Sequence, residues 1–209
     1  MTTEIPKQSP APLKVGMLVY PGFTLLDLAG PQAVLGMHAD TFLIWKTLDP
    51  VPTDSGMSLN PTHTFAQVPD HLDILFVPGG YTTNDIMADD EVLDFLIEAG
   101  KSARYVTSVC SGALLLGDRV VVDLNRMTGG GVTAGFDFGL TLLAELRGGD
   151  VAKITQLMIE YNPEPPFDTG HPDTAGPELV AMVDQSMGDQ HIRSGIEIAK
   201  NKRGAQVHP

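Results

Sequence analysis

Apolar, β-prone runs recur along this chain, and they alternate with stretches of helical spacing. The runs are LKVGMLV at 13–19, TFLIWKT at 41–47, LDILFV at 72–77 and RYVTSV at 104–109. Short runs without polar alternation suit strands buried on both faces, and such strands need helices above and below them. Helical spacing appears at 91–99, 133–146, 150–161 and 177–187, with turn residues such as Tyr20-Pro21-Gly22 and Pro78-Gly79-Gly80 closing strands. The pattern predicts an α/β fold with a mostly parallel sheet and helices on both faces. Gly30-Pro31 interrupts the apolar stretch after Thr24, which predicts a kinked helix or a loop followed by a helix. Residues 55–65 read as an edge hairpin, 119–122 with 126–128 as a short strand pair, and 192–200 as a last helix. The 209 residues suit one domain over 13–200, with tails at 1–12 and 201–209.

Charge and cysteine content remove several function classes. The net charge is −13, so a polyanionic nucleic acid is repelled. The single cysteine, Cys110, excludes an intrachain disulfide and a cysteine-rich metal site, and a lone thiol fits a reducing compartment. The six histidines form no HxxxH or HxH pair, which argues against a metal. His171, in a proline-rich loop, reads first as a surface residue. No apolar run has the length of a membrane span, and the polar start lacks the apolar centre of a signal peptide. The expected location is the cytoplasm.

Chemistry concentrates at 106–112, Val-Thr-Ser-Val-Cys-Ser-Gly. A strand ends on a nucleophilic side chain and a helix begins at once among small neighbours, the pattern of a nucleophile elbow. A helix N-terminus there would favour a thiolate. The competing reading is a buried core thiol. Asp27, set among Leu25, Leu26 and Leu28, reads either as an exposed or capping helix residue or as an acid/base group near the cysteine. Pro78-Gly79-Gly80 ends a strand where α/β sheets bind ligands, and its glycines would let N–H groups approach an oxyanion. Gly129-Gly130-Gly131 carries the same two readings, turn or ligand loop. Neither stretch has the lysine of a phosphate loop.

These segments together resemble the DJ-1/PfpI superfamily, in particular its isonitrile hydratase-like subgroup. The matching pieces are YPGFTLLDLAGPQAVL (20–35), FLIWK (42–46), DILFVPGG (73–80), ARYVTSVCSGALLLG (103–117), RMTGGGVTAGFDFGLTLLAEL (126–146) and QLMIEYNPEPPFDTGHPDTAG (156–176). The resemblance implies a flavodoxin-like fold of the class I glutamine amidotransferase-like type, a homodimer, and hydration of an isonitrile, a small molecule, to an N-substituted formamide without metal or organic cofactor. It implies Cys110 as nucleophile, Asp27 as its hydrogen-bond partner and general acid/base, and Ser111 where relatives usually have Thr. Gly79, Gly80, Gly130 and Val132 then line the substrate or oxyanion site.

One departure stands next to that site. In relatives a Gly-Leu-Leu turn, an Ala-Thr-Thr-His-Trp strand and a helix precede the Arg-Val-Val segment. Here Gly117 runs directly into Asp118-Arg119-Val120. A strand–helix unit and a histidine are missing, so the expectation is an intact Cys110 turn beside a thinner sheet or unusual exposure. Other outcomes for such a chain are a ligand- or oxidative-stress-sensing protein, an inactive relative, or the sensor domain of an AraC-type regulator. Nothing after Tyr161 is long or basic enough for a helix-turn-helix pair.

Overall fold

A computed structural model describes residues 10–116, 125–187, 194 and 197–198. The first strand, β1 (Leu13–Leu18), leads through the Tyr20-Pro21-Gly22 turn into α1 (Leu25–Leu35) and then β2 (Ala39–Trp45). A short hairpin, β3 (Val51–Pro52) and β4 (Ser58–Leu59), precedes β5 (His63–Thr64) and β6 (Ile74–Val77). Two helices, α2 (Thr83–Met87) and α3 (Asp90–Ser102), lead to β7 (Tyr105–Val109), α4 (Gly112–Leu116) and β8 (Asn125–Gly129). The described chain closes with α5 (Gly135–Arg147), α6 (Gly149–Met158), α7 (Pro172–Ala175) and α8 (Pro177–Met187).

Six strands form one sheet in the order β5-β2-β1-β6-β7-β8. Every pair in it is parallel. Without the short β5, the order is that of the flavodoxin-like doubly wound sheet. Strands β6 and β7 are buried at every position, β6 with apolar residues throughout and β7 with Thr107 and Ser108 among its apolar ones. One group of helices, α1, α5 and α6, packs together, and a second group is α2 with α3 and α4. Because the strand order reverses at β1, right-handed crossovers carry the two groups to opposite faces. Phe138 of α5 lies against Phe76 of β6, their ring centroids 6.0 Å apart.

Several local expectations need correction. Helix α1 runs unbroken through Gly30-Pro31. Both residues are buried against α5, where Gly30 faces the Gly135 backbone closely, and that packing holds the helix across the proline. Thr24 stands at the N-cap without a side-chain cap bond; Asp54 accepts the Leu25 N–H at 3.0 Å instead. The expected hairpin lies slightly earlier, at β3 and β4, and the following strand β5 joins the main sheet beside β2. Helix α2 had no clear sequence signal. Residues 119–122, the tail at 201–209 and, except for 194 and 197–198, the stretch 192–200 lie outside the described residues. The strand expected at 126–128 is β8, laid parallel to β7 over five register positions from Tyr105↔Asn125 to Val109↔Gly129. Among the described residues it is the last strand of the sheet, and Arg126 and Thr128 on it are exposed.

Candidate functional site

Four segments converge at the carboxyl ends of β1, β6, β7 and β8, where a doubly wound sheet offers a ligand site. Strand β7 delivers Cys110, β1 leads to Asp27 in the first turn of α1, β6 leads to Gly79 and Gly80, and β8 leads to residues 130–132.

Cys110 has φ +54, a left-handed conformation that costs a residue with a Cβ roughly 1–2 kcal/mol. Its N–H donates to the Gly129 carbonyl at 3.1 Å, which ties the turn to β8. The turn can be this sharp because Gly112 follows. A Cβ there would collide with the Val77 carbonyl oxygen and come within 2.7 Å of the Pro78 carbonyl oxygen, so the start of α4 lies directly on the end of β6. Cys110 as a residue is exposed, while its thiol is partly screened from water.

Asp27 is fully buried. Its two carboxyl oxygens are held from opposite sides. Gly79 N–H donates to Oδ2 at 2.9 Å and Val132 N–H to Oδ1 at 2.6 Å. Val132 also has a positive φ, +57, a strained conformation for a β-branched residue. Gly131 marks where the two functional groups meet. A Cβ on it would collide with the Cys110 Cβ and stand 2.8 Å from the sulphur and 3.1 Å from Asp27 Oδ1.

Burial, then the Asp27 charge, pushes the Cys110 thiol above the ordinary thiol range; the hydrogen bonds from the Ser111 N–H and hydroxyl pull the other way and lose. The thiolate expected from the helix start is therefore not favoured at rest. Helix α4 has only five residues, and an acidic group lies against the sulphur.

Ser111 Oγ accepts the Gly80 N–H at 3.0 Å and lies 2.8 Å from Thr83 Oγ1. Gly79, Gly80 and Val132 thus spend their N–H groups on positioning Asp27 and Ser111. Gly130 stands at the exposed rim, and Val132 is 46% exposed beside it. Sequence reasoning missed three residues here. Tyr20 was read only as part of a turn, Gly131 only as one of three glycines, and Thr83 not at all. Tyr20 and Thr83 are completely buried behind Ser111. A tyrosine at the end of a buried strand was the available signal; Thr83 had none.

Three of the histidines have partners elsewhere. His38 Nε2 lies 2.8 Å from Thr155 Oγ1, and burial lowers its pKa. His63 lies edge-on to Phe42. His171 is exposed and caps α7, its Nδ1 accepting the Asp173 N–H at 3.2 Å. Among the described residues no group of three or more His, Cys, Asp or Glu side chains could hold a metal ion, and no helix is long and apolar enough to cross a membrane.

Comparison with known proteins gives the arrangement its relatives. An isonitrile hydratase of Pseudomonas putida is 43% identical over 199 residues, a match that takes in 80% of this chain and 87% of that protein. The 199 positions exceed the share of this chain that takes part, so the relative carries residues with no counterpart here. The crystal structure of a THiJ/PfpI family protein from Pseudomonas syringae superposes with a TM-score of 0.83 at 36% identity, over 95% of this chain and 98% of that one. An AraC family transcriptional regulator from Pseudomonas putida has a TM-score of 0.51 at 19% identity, over 71% of this chain and 99% of that one, a likeness of fold alone. The DJ-1/PfpI family model matches residues 13–134, which take in β1 to β8, Asp27 and the Cys110 elbow. By sequence, strand order and this span, the chain belongs to the DJ-1/PfpI family.

Proposed function

We propose that the chain hydrates an isonitrile to an N-substituted formamide, with Cys110 as nucleophile and Asp27 as the group that moves its proton. The observation that carries the reading is the buried Asp27 carboxyl, clamped by Gly79 and Val132 and placed around Gly131 against the thiol of Cys110, an exposed residue. The 43% identity to an isonitrile hydratase supports the choice of substrate class.

An isonitrile carries an electrophilic terminal carbon that becomes basic once a nucleophile adds. The pair matches that demand. Asp27 takes the thiol proton as Cys110 attacks the carbon, and a carbon–sulphur bond forms. Asp27 then returns the proton to the same carbon, giving a thioimidate, Cys110–S–CH=N–R. Water adds to the thioimidate carbon. The carbon–sulphur bond breaks, the thiol is restored, and R–NH–CHO leaves. No metal or organic cofactor enters any step. A thiol held protonated at rest suits this sequence, because the proton needed at carbon starts on the sulphur. Substrate reaches the sulphur from the solvent side, past Gly130 and Val132, while Asp27 works from beneath.

The partners in this reading are the small-molecule substrate and a second copy of the chain, and the location is the cytoplasm. The homodimer is supported by apolar side chains left on the surface of α6 and α8, among them Leu157 at 79% and Met182 at 65% exposure. The chemistry is tested by acid-quenching the protein during turnover of a simple alkyl isonitrile and weighing it intact. The expected result is added mass equal to one isonitrile, mapped to Cys110. Formamide production with no adduct on any Cys110 peptide, under conditions that trap other thioimidates, counts against covalent catalysis.

A further inference from the structure

The Pro78-Gly79 peptide stands between two fully buried side chains, Tyr20 and Asp27. Its carbonyl oxygen accepts the Tyr20 hydroxyl at 3.1 Å, and its N–H donates to Asp27 Oδ2 at 2.9 Å. A peptide unit is planar, and in the trans form its C=O and N–H point to opposite sides, so the two bonds share one rigid plate. Turning that plate about its long axis breaks both at once. The turn uses Pro78 ψ and Gly79 φ, the torsions that neither the proline ring nor a Cβ on Gly79 restrains. Glycine is needed there for another reason. A Cβ on Gly79 would stand 2.7 Å from the Ser111 nitrogen and hydroxyl oxygen and 2.8 Å from the Cys110 Cβ. The close approach therefore leaves a plate that is free to turn unless something holds it. The next peptide is held separately: the Gly79 carbonyl accepts the Thr24 N–H at 2.9 Å, and the Gly80 N–H donates to Ser111 Oγ at 3.0 Å.

The Tyr20 hydroxyl also lies 3.1 Å from Thr83 Oγ1. Thr83 has other partners, the Gly80 carbonyl at 2.7 Å and Ser111 Oγ at 2.8 Å. The Ser111 hydrogen serves Thr83 or the Gly80 carbonyl, 3.4 Å away. Neither choice gives the Pro78 carbonyl a donor, so the Tyr20 hydrogen belongs there. Burial pushes the Tyr20 hydroxyl above the ordinary tyrosine range, which keeps that hydrogen in place.

We propose that Tyr20 is a positioning residue for Asp27: its hydroxyl holds the Pro78-Gly79 peptide in the orientation that keeps the Gly79 N–H on Oδ2. The Gly79 N–H takes up part of the charge on that oxygen. Without it, more of the charge stands against the sulphur, where the Asp27 charge already opposes ionisation of the thiol. The inference rests on the pairing of Asp27 with Cys110, not on the substrate they act on.

The peptide can be observed directly. Pro-Gly occurs twice in the chain, at 21–22 and 78–79. Carbon-13 in the proline carbonyls and nitrogen-15 in the glycines leave two carbonyl-to-amide cross-peaks in NMR. The peak whose amide proton moves upfield in Asp27→Asn belongs to Gly79. In Tyr20→Phe, checked for folding by circular dichroism, the same amide proton is expected to move upfield and the Pro78 carbonyl carbon to move with it. Alkylation of Cys110 by iodoacetamide, at a pH on the rising limb, is expected to slow roughly two- to fivefold, part of the effect of a hydrogen bond lost at a charged group. In the Asp27→Asn background the same substitution is expected to leave the rate unchanged, because no charge remains for the N–H to moderate. A Gly79 amide or an alkylation rate unmoved in Tyr20→Phe overturns the inference. So does a rate change equally large with and without the Asp27 charge, which would mean that Tyr20 acts on the thiol by another route. If Tyr20→Phe does not fold, 3-fluorotyrosine at position 20 decides, since it keeps the shape and donates more strongly. The Pro78 carbonyl carbon and the Gly79 amide proton are then expected to move downfield, and unmoved signals overturn the inference. Absence of isonitrile turnover in the parent chain would refute the hydratase reading and leave these measurements intact.

Discussion

Two residues at the site are held in conformations that side chains resist. Cys110 and Val132 both have positive φ, and both are anchored by the hydrogen bonds of their own N–H groups. Strain of this kind, of order 1–3 kcal/mol for each residue, persists only where the surroundings fix it. Here it aims the thiol outward and an N–H inward at Asp27. The same carboxyl makes the thiol harder to ionise. That gives a prediction with a definite sign. Asp27→Asn removes the negative charge beside the sulphur, so the alkylation profile of Cys110 shifts to lower pH and alkylation at neutral pH becomes faster. An unchanged or upward-shifted profile in the folded variant, followed by iodoacetamide labelling, would mean that the carboxyl does not govern the thiol. Asp27 was ambiguous in the sequence because a carboxylate among leucines fits a cap as well as a site. Only the β6 and β8 ends, far away in the chain, supply the two N–H groups that decide where it points.

The element that sets the geometry is the β7–α4 elbow. It was legible in the sequence: an apolar run, a cysteine, then two small residues. Its depth was not, because that depends on how closely α4 lies on β6. Gly112 carries that contact, and its would-be Cβ meets backbone oxygens of Val77 and Pro78, which cannot step aside as a flexible side chain would. Gly112→Ala is therefore expected to cost about 1–3 kcal/mol of stability, the usual range for overpacking, and to slow Cys110 alkylation by displacing the turn. A melting temperature and alkylation rate equal to the parent's would show that the elbow has slack. Helix α1 teaches the opposite lesson. Gly30-Pro31 predicted a break, yet the helix continues because Pro31 and Gly30 fit against Gly135 on α5. Tertiary packing overrode a strong local signal there. Thr83 was invisible for a related reason, since its role comes from Tyr20 and Ser111, which approach it only once three strand ends are aligned.

At the scale of the whole molecule, the alternation of strands and helices was enough to give the α/β class, and the resemblance gave the flavodoxin-like order. The sheet extends to β8, and the exposure on that strand is at the edge of the sheet, at Arg126 and Thr128. What single-chain patterning could not locate is the apolar surface on α6 and α8. Ile154, Leu157 and Met158 follow helical spacing on α6, and Leu179, Met182 and Val183 repeat it on α8, all exposed. Both helices were expected from their spacing alone, which does not say what covers the apolar face. A second copy covering them would bring the interface toward the ~1,000 Å² a specific contact needs. Leu157→Glu combined with Met182→Glu should turn a dimer into a monomer in sedimentation equilibrium at micromolar concentration, with helicity kept. A parent chain that is already monomeric there contradicts the dimer. The central claim is that Cys110 and Asp27 act together on an isonitrile. Its most direct measurement is the initial rate of formamide formation from a simple alkyl or aryl isonitrile by the parent, Cys110→Ala and Asp27→Asn proteins, each confirmed folded. The account predicts turnover by the parent, none by Cys110→Ala, and a loss of roughly 10²–10⁴-fold in Asp27→Asn, whose cysteine still alkylates. A folded Cys110→Ala protein that still makes formamide, or an Asp27→Asn protein at the parent rate, would contradict it.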